Sequence, residues 1–175
     1  MAHTFARMML ISSVCCVAAL ALGMAGASAA SAHAIVELNG DPAYAGRTSI
    51  LTLELQHGCL GNEAGIDTVV AYFDPSFVSV KPKSVPGWKS QKATESDGTH
   101  RIKWTLTGDR PKFNTPTYFP MTISWPKQSG VYGVPVKQKC LGEVNVWDTP
   151  DGPATANRPS PPLYPLPQIR VLPRP

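Results

Sequence analysis

Proline interrupts this chain so often that helix is the first structure the sequence excludes. There are 18 prolines in 175 residues. No run with apolar residues at helical spacing reaches about ten residues before meeting one. A proline inside a helix removes a backbone hydrogen bond and clashes with the preceding turn, at a cost of about 3 kcal/mol. What survives is a series of short segments with the two-residue period of strands. "RTSILTLELQHGC" (47–59) sets Leu51, Leu53 and Leu55 on one side against Ile50, Thr52 and Glu54 on the other, as in a strand with one buried face. "IDTVVAYFDP" (66–75), "FVSVKP" (77–82), "HRIKWTLTG" (100–108), "TYFPMTISWP" (117–126), "GVYGVPVKQKC" (130–140) and "LGEVNVWD" (141–148) continue the series, with "VPGW" (85–88) as a turn. About seven short strands at this spacing predict an all-β fold, an antiparallel β-sandwich. Pro120 and Pro135 fall inside strand patterns, so those strands are expected at an edge or bulged.

Two segments stand outside this pattern. From Thr149 to Pro167 the chain is dense in proline with no apolar period, and it reads as a linker-like or polyproline tail. "QIRVL" (168–172) then predicts a last strand returning to the sheet. At the other end, residues 1–32 carry Arg7 as their only charge, and Met8–Met24 is an unbroken apolar and small-residue run. A basic start, an apolar middle and an A-x-A end describe a secretory signal peptide. An uncleaved anchor is the rival, being about long enough to span a bilayer, but the run thins into Ala, Ser and Gly. A lipoprotein reading is weak, because Val14 precedes Cys15 and both leading cysteines lie inside the apolar stretch. The chain therefore divides into a signal (1–32), a β-sandwich domain (33–148) and a proline-rich tail (149–175).

Removing the signal leaves 175 − 32 = 143 residues, with 15 Lys+Arg against 12 Asp+Glu, or +3. That charge is spread without a basic block, so nucleic acid is an unfavoured partner. No second apolar run is long enough to cross a membrane, and a periplasmic or secreted location is expected. Cys15 and Cys16 leave with the signal. Cys59 and Cys140 remain, and two cysteines in an exported chain are most simply a disulfide. The loop it closes spans 140 − 59 = 81 positions, worth about 4 to 5 kcal/mol on a loop-entropy account.

No catalytic signature is present: G-x-S-x-G, H-E-x-x-H, C-x-x-C and glycine-rich phosphate loops are all missing, and no enzyme activity is expected. The sharp candidate is His33. Cleavage after Ala30-Ser31-Ala32 would give one residue both a free α-amine and an imidazole, and the amine nitrogen and ring Nδ1 can chelate one ion. Both can shed a proton near neutral pH. Two nitrogens in a fixed bite favour Cu(II), although a carboxylate and a further neighbour must complete the site. The alternative is a terminus that simply frays, and the sites Ala25-Gly26-Ala27, Ala27-Ser28-Ala29 and Ala32-His33-Ala34 compete for the cut. His57 and Cys59 stand two apart and could suit Cu(I) or zinc, but a paired Cys59 is no ligand. His100 reads as a hairpin flank. Trp88, Trp104, Trp125 and Trp147 read as core packing, and Glu54, Glu63 and Asp67 are the acids nearest the first strands.

Four stretches in order sharpen this reading: "AHAIVELNGDPAYAGRTSILTLELQHGC", "VSVKPKSVPGW", "RIKW" and "GVPVKQKCLGEVNVW". From about His33 to Trp147 the chain resembles the YcnI-like family of exported copper-binding proteins. The resemblance implies an immunoglobulin- or cupredoxin-like β-sandwich. It implies one Cu(II) held in a mono-histidine brace: His33 gives amine and imidazole, a loop carboxylate adds oxygen, and Trp147 stands beside the ion. Glu63 fits the carboxylate best, with Asp67 as the alternative. Family members do not need the H-G-C stretch for copper, which agrees with a Cys59–Cys140 disulfide. A membrane-tethered form is not expected, since the sequence ends at Arg174-Pro175 without an anchor. The expected role is copper homeostasis, as a chaperone or buffer serving another exported copper protein or a copper transporter. The alternative is a metal-free extracytoplasmic β-sandwich module whose edge strands and PxxP-like stretch (159–167) dock a partner.

Overall fold

A computed structural model describes residues 34–157 and 159–175. The signal and His33 lie outside the described residues. Every regular element among those described is a strand: β1 (Ala34–Glu37), β2 (Thr48–Leu55), β3 (Thr68–Phe73), β4 (Ser79–Pro82), β5 (Trp88–Thr94), β6 (His100–Leu106), β7 (Thr117–Ser124), β8 (Gly130–Gly133), β9 (Val136–Cys140), β10 (Glu143–Trp147) and β11 (Gln168–Val171). They build one antiparallel sheet in the order β1-β2-β7-β4, a second in the order β10-β9-β3-β6-β5, and a ribbon of β11 with β8. Among the described residues no helix is long and apolar enough to cross a membrane.

Alternation places the core where the sequence puts it. Leu51, Leu53 and Leu55 of β2 and Phe119, Met121 and Ile123 of β7 are buried from one sheet. Val69, Ala71 and Phe73 of β3 and Ile102 and Trp104 of β6 are buried from the other. Phe119 is packed by Trp88 and Trp104, each with ring centroids 5.0 Å away. Trp104, Trp125 and Trp147 are all fully buried, as their apolar mass favours. The Cys59–Cys140 disulfide forms, joining the loop after β2 to the end of β9.

Three expectations are corrected. β7 is no edge strand: it lies between β2 and β4, with Pro120 opposite Thr52. Pro120 is tolerated because its carbonyl accepts from Lys83 N, just past the end of β4. N–H and C=O of one strand residue point to the same neighbour, so the missing donor faces the end of short β4 and no β2–β7 bond is lost. Pro135 lies between β8 and β9, where it splits the expected single strand in two. The last strand is present over Gln168–Val171, but it pairs with β8 rather than joining either main sheet.

The proline-rich segment is docked on its own sandwich. Thr149 N bonds Tyr164 O, Leu166 N bonds Thr149 O, and Val134 N bonds Pro167 O, while Pro162 and Pro167 are buried. The part of the PxxP-like stretch from 164 to 167 is thereby bonded to the chain's own backbone, while Leu163 is exposed.

Candidate functional site

At the β9–β10 end the inner face changes character. Gln138 of β9 and Asn145 of β10 are cross-strand partners, both turned inward and at most 3% exposed. Trp147, two residues beyond Asn145 on the same side, is equally buried. Its indole Nε1 donates to Gln138 Oε1 at 3.1 Å, and Gln138 Nε2 donates to the His57 carbonyl at 2.7 Å. One amide thus spans from Trp147 to the loop that follows β2, and its two bonds fix its orientation. Tyr164 of the docked tail closes over Trp147, with ring centroids 5.2 Å apart and planes nearly perpendicular. The Asn145 Nδ2 group is buried without a partner among the described residues, a condition that costs about 1 to 3 kcal/mol.

The start of β1 reaches this region. Ala34, the first described residue, pairs with Leu55 at the end of β2. His57, whose carbonyl holds Gln138, follows two residues later. A chain of contacts therefore runs from the Ala34–Leu55 rung through His57 and Gln138 to Trp147.

The remaining sequence candidates take separate places. Glu63 is exposed with φ 50°, in a loop pinned by Asn62 Nδ2 on Cys140 O at 2.7 Å and by Cys59 N on Ala64 O. It belongs to the hairpin-turn end of β9–β10. Trp147 is at the other end of β10, four residues from Glu143 and so about 13 Å along the strand. Asp67 is committed: it accepts from Leu141 N at 2.8 Å and faces Arg110 at 3.8 Å. Leu141 and Gly142, with φ of 46° and 96°, form the two-residue turn between β9 and β10. Its conformation suits Asn-Gly better than Leu-Gly, and the Asp67 bond helps hold it. Glu54 lies opposite Ile35 on the outer face. Its pKa is raised by burial and, secondarily, by the nearby Glu37 carboxylate.

The other histidines serve the fold. His57 Nδ1 meets Gly58 O at 2.5 Å, and its ring packs on Phe113 at 5.0 Å. Its neighbour Cys59 is in the disulfide and gives no thiolate. His100 Nε2 bonds Phe77 O at 2.9 Å. No group of three His, Cys, Asp or Glu side chains able to hold a metal occurs among the described residues. Sequence reasoning did not single out Gln138 and Asn145, although the alternation of "VKQKC" and "EVNVW" puts both on the same side as Trp147.

No protein-family model and no curated protein matches the chain. Its fold is shared by solved structures. An uncharacterized protein from Nocardia farcinica with an immunoglobulin-like fold superposes with TM-score 0.60 at 20% identity, over 79% of this chain and 97% of that one. A cohesin module from the family 33 glycoside hydrolase of Clostridium perfringens ATCC13124 gives TM-score 0.54 at 12% identity, over 82% and 97%. The chain is an immunoglobulin-like β-sandwich.

Proposed function

We propose that this is an exported Cu(II)-binding protein that buffers copper or hands it to another exported protein. The observation that carries the reading is the position of β1. Ala34, the first described residue, pairs with Leu55 on a rung linked through His57 and Gln138 to Trp147. His33 is one peptide bond away, with its Cα about 3.8 Å from that of Ala34. Signal removal after Ala32 would leave its α-amine and imidazole beside a rigid, largely water-free wall. The disulfide suits an oxidising compartment outside the cytoplasm.

His33 supplies the two nitrogens of this proposal. Of the two candidate carboxylates, Asp67 is already engaged. Glu63 is exposed on a loop at the far end of β10 from Trp147, so its side of the ion faces away from the Trp147 wall. Trp147 supplies no ligand atom: an indole N–H only donates, and this one is bonded to Gln138. Its part is to shape and dry the wall.

Mass spectrometry of the exported chain should find His33 as the first residue. Cu(II) titration of that chain should show a tight site that His33→Ala abolishes and Glu63→Gln weakens. A different mature terminus, or unchanged affinity in His33→Ala, would reject the brace.

A further inference from the structure

The two outer faces of the sandwich carry different charge. On the five-stranded sheet, residues paired across strands share a face. The register sends Lys89, Arg101, Lys103, Lys137 and Lys139 to the outside, and no aspartate or glutamate falls at an outward position within the five strands. Just outside them, Glu95 past β5 meets Arg101, and Asp67 before β3 holds the Leu141 turn. Glu143 falls on the opposite side of β10 with Asn145 and Trp147. Arg101 is paired with Glu95, while none of the four lysines enters an ion pair among the described residues. Across the molecule, the outer face of the four-stranded sheet holds Glu37 and Glu54 against Lys81.

Apolar residues border the cationic face along one side. Val144 and Val146 stand beside Lys139 and Lys137 on the outer side of edge strand β10 and are 44% and 37% exposed. At the adjoining turn, Leu141 is 63% exposed in a left-handed conformation that leucine disfavours. A large apolar side chain held outward at some conformational cost is better explained by what it contacts than by the turn it makes. Toward the other edge, Gln91, Lys92, Ala93, Arg101 and Lys103 line a shallow depression of about 360 Å³. With strands about 4.8 Å apart, the face is about 19 Å wide.

We infer that this face docks on an anionic lipid surface, the lysines meeting headgroup phosphates and Leu141, Val144 and Val146 entering the interface. Charge complementarity identifies the anion. The planar spread of lysines fits an array of phosphates, and the apolar margin fits lipid rather than the acidic surface of another protein. Association is peripheral and salt-dependent, because exposed charges are screened within about 10 Å at 0.1 M salt.

The test uses the chain from His33 onward, since Ser31–Pro175 forms one compact unit. It should cosediment with vesicles of 30% phosphatidylglycerol in phosphatidylcholine at low salt, and not with pure phosphatidylcholine. Lys137→Gln with Lys139→Gln should weaken binding about 30-fold, at about five-fold per lysine near the surface. Leu141→Asn suits the turn better and should keep the thermal midpoint while weakening binding about five-fold. Lys81→Gln, on the other face, should leave binding unchanged. No vesicle binding, or equal loss with Lys81→Gln, overturns the proposal. Salt-sensitive binding of polyglutamate without vesicle binding overturns it too, and gives the face to an acidic protein.

Discussion

The inner surfaces of β2–β7 and of β9–β10 face the same core but are built on different principles. The first is mainly apolar, with three leucines against Phe119, Met121 and Ile123 and Thr117 as the one polar residue among its buried inward positions. The second places Gln138, Asn145 and Trp147 at the equivalent positions. Leucine or valine there would serve stability better, because buried polar groups gain little even when satisfied and cost more when they are not. Gln138 is fully used and ties β10 to the loop after β2. Asn145 is not used among the described residues. The contrast marks one end of the sandwich as a position where packing has been given up for a polar arrangement, next to the start of β1.

Variants can break this contrast in order of expected effect. The disulfide stands at its boundary, so Cys59→Ser with Cys140→Ser should cost about 4 to 5 kcal/mol. That is about 9 to 18 °C in thermal midpoint for a domain of this size. Leu53→Ala on the apolar side should cost about 3 kcal/mol by leaving a cavity, measurable by urea unfolding. Gln138→Ala should cost about 2 kcal/mol, because the His57 carbonyl and the Trp147 indole lose their partner. Asn145→Leu should be neutral or stabilise by about 1 kcal/mol. A loss of more than 1 kcal/mol would show that the amide has a partner beyond the described residues.

The smallest effect is electrostatic. The folded state raises the Glu54 pKa, so it binds that proton more tightly than the unfolded chain does. Its contribution is complete below the ordinary carboxylate range and is lost as pH rises through the raised value. Glu54→Gln should therefore stabilise by less than about 1 kcal/mol at pH 7 and by nothing near pH 3, as read from denaturant midpoints at the two pH values.

Much of this was legible where one face is buried and the other wet. β2, β6 and β7 follow their alternation, and the pairing expected of Cys59 with Cys140 forms. β5 was not legible. It is an edge strand whose "WKSQKAT" is exposed at most positions, so no apolar period marks it. β1, described over Ala34–Glu37, follows closely on the small-residue run, which masks its alternation. Pro120 misled because a proline's tolerance depends on which neighbour its missing N–H faces, which only the register reveals. The tail read as linker because its docking uses backbone bonds and single anchors such as Tyr164. At the candidate site, Trp147 was legible as a buried aromatic, whereas the Gln138 bridge depends on a contact 81 residues away in sequence.

If copper is bound by nitrogen, affinity should fall below about pH 6 as protons compete for the imidazole and amine. A flat profile from pH 5 to 8 would argue against such ligation. The most direct measurement is a Cu(II) titration, followed by tryptophan fluorescence, of the chain beginning at His33 and of one with a single glycine added before it. The second chain keeps the imidazole and every residue of the sandwich but moves the α-amine off His33. The brace predicts one tight equivalent with quenching in the first chain and loss of that site in the second. Equal affinity in the two, or no tight binding in the first, would contradict it.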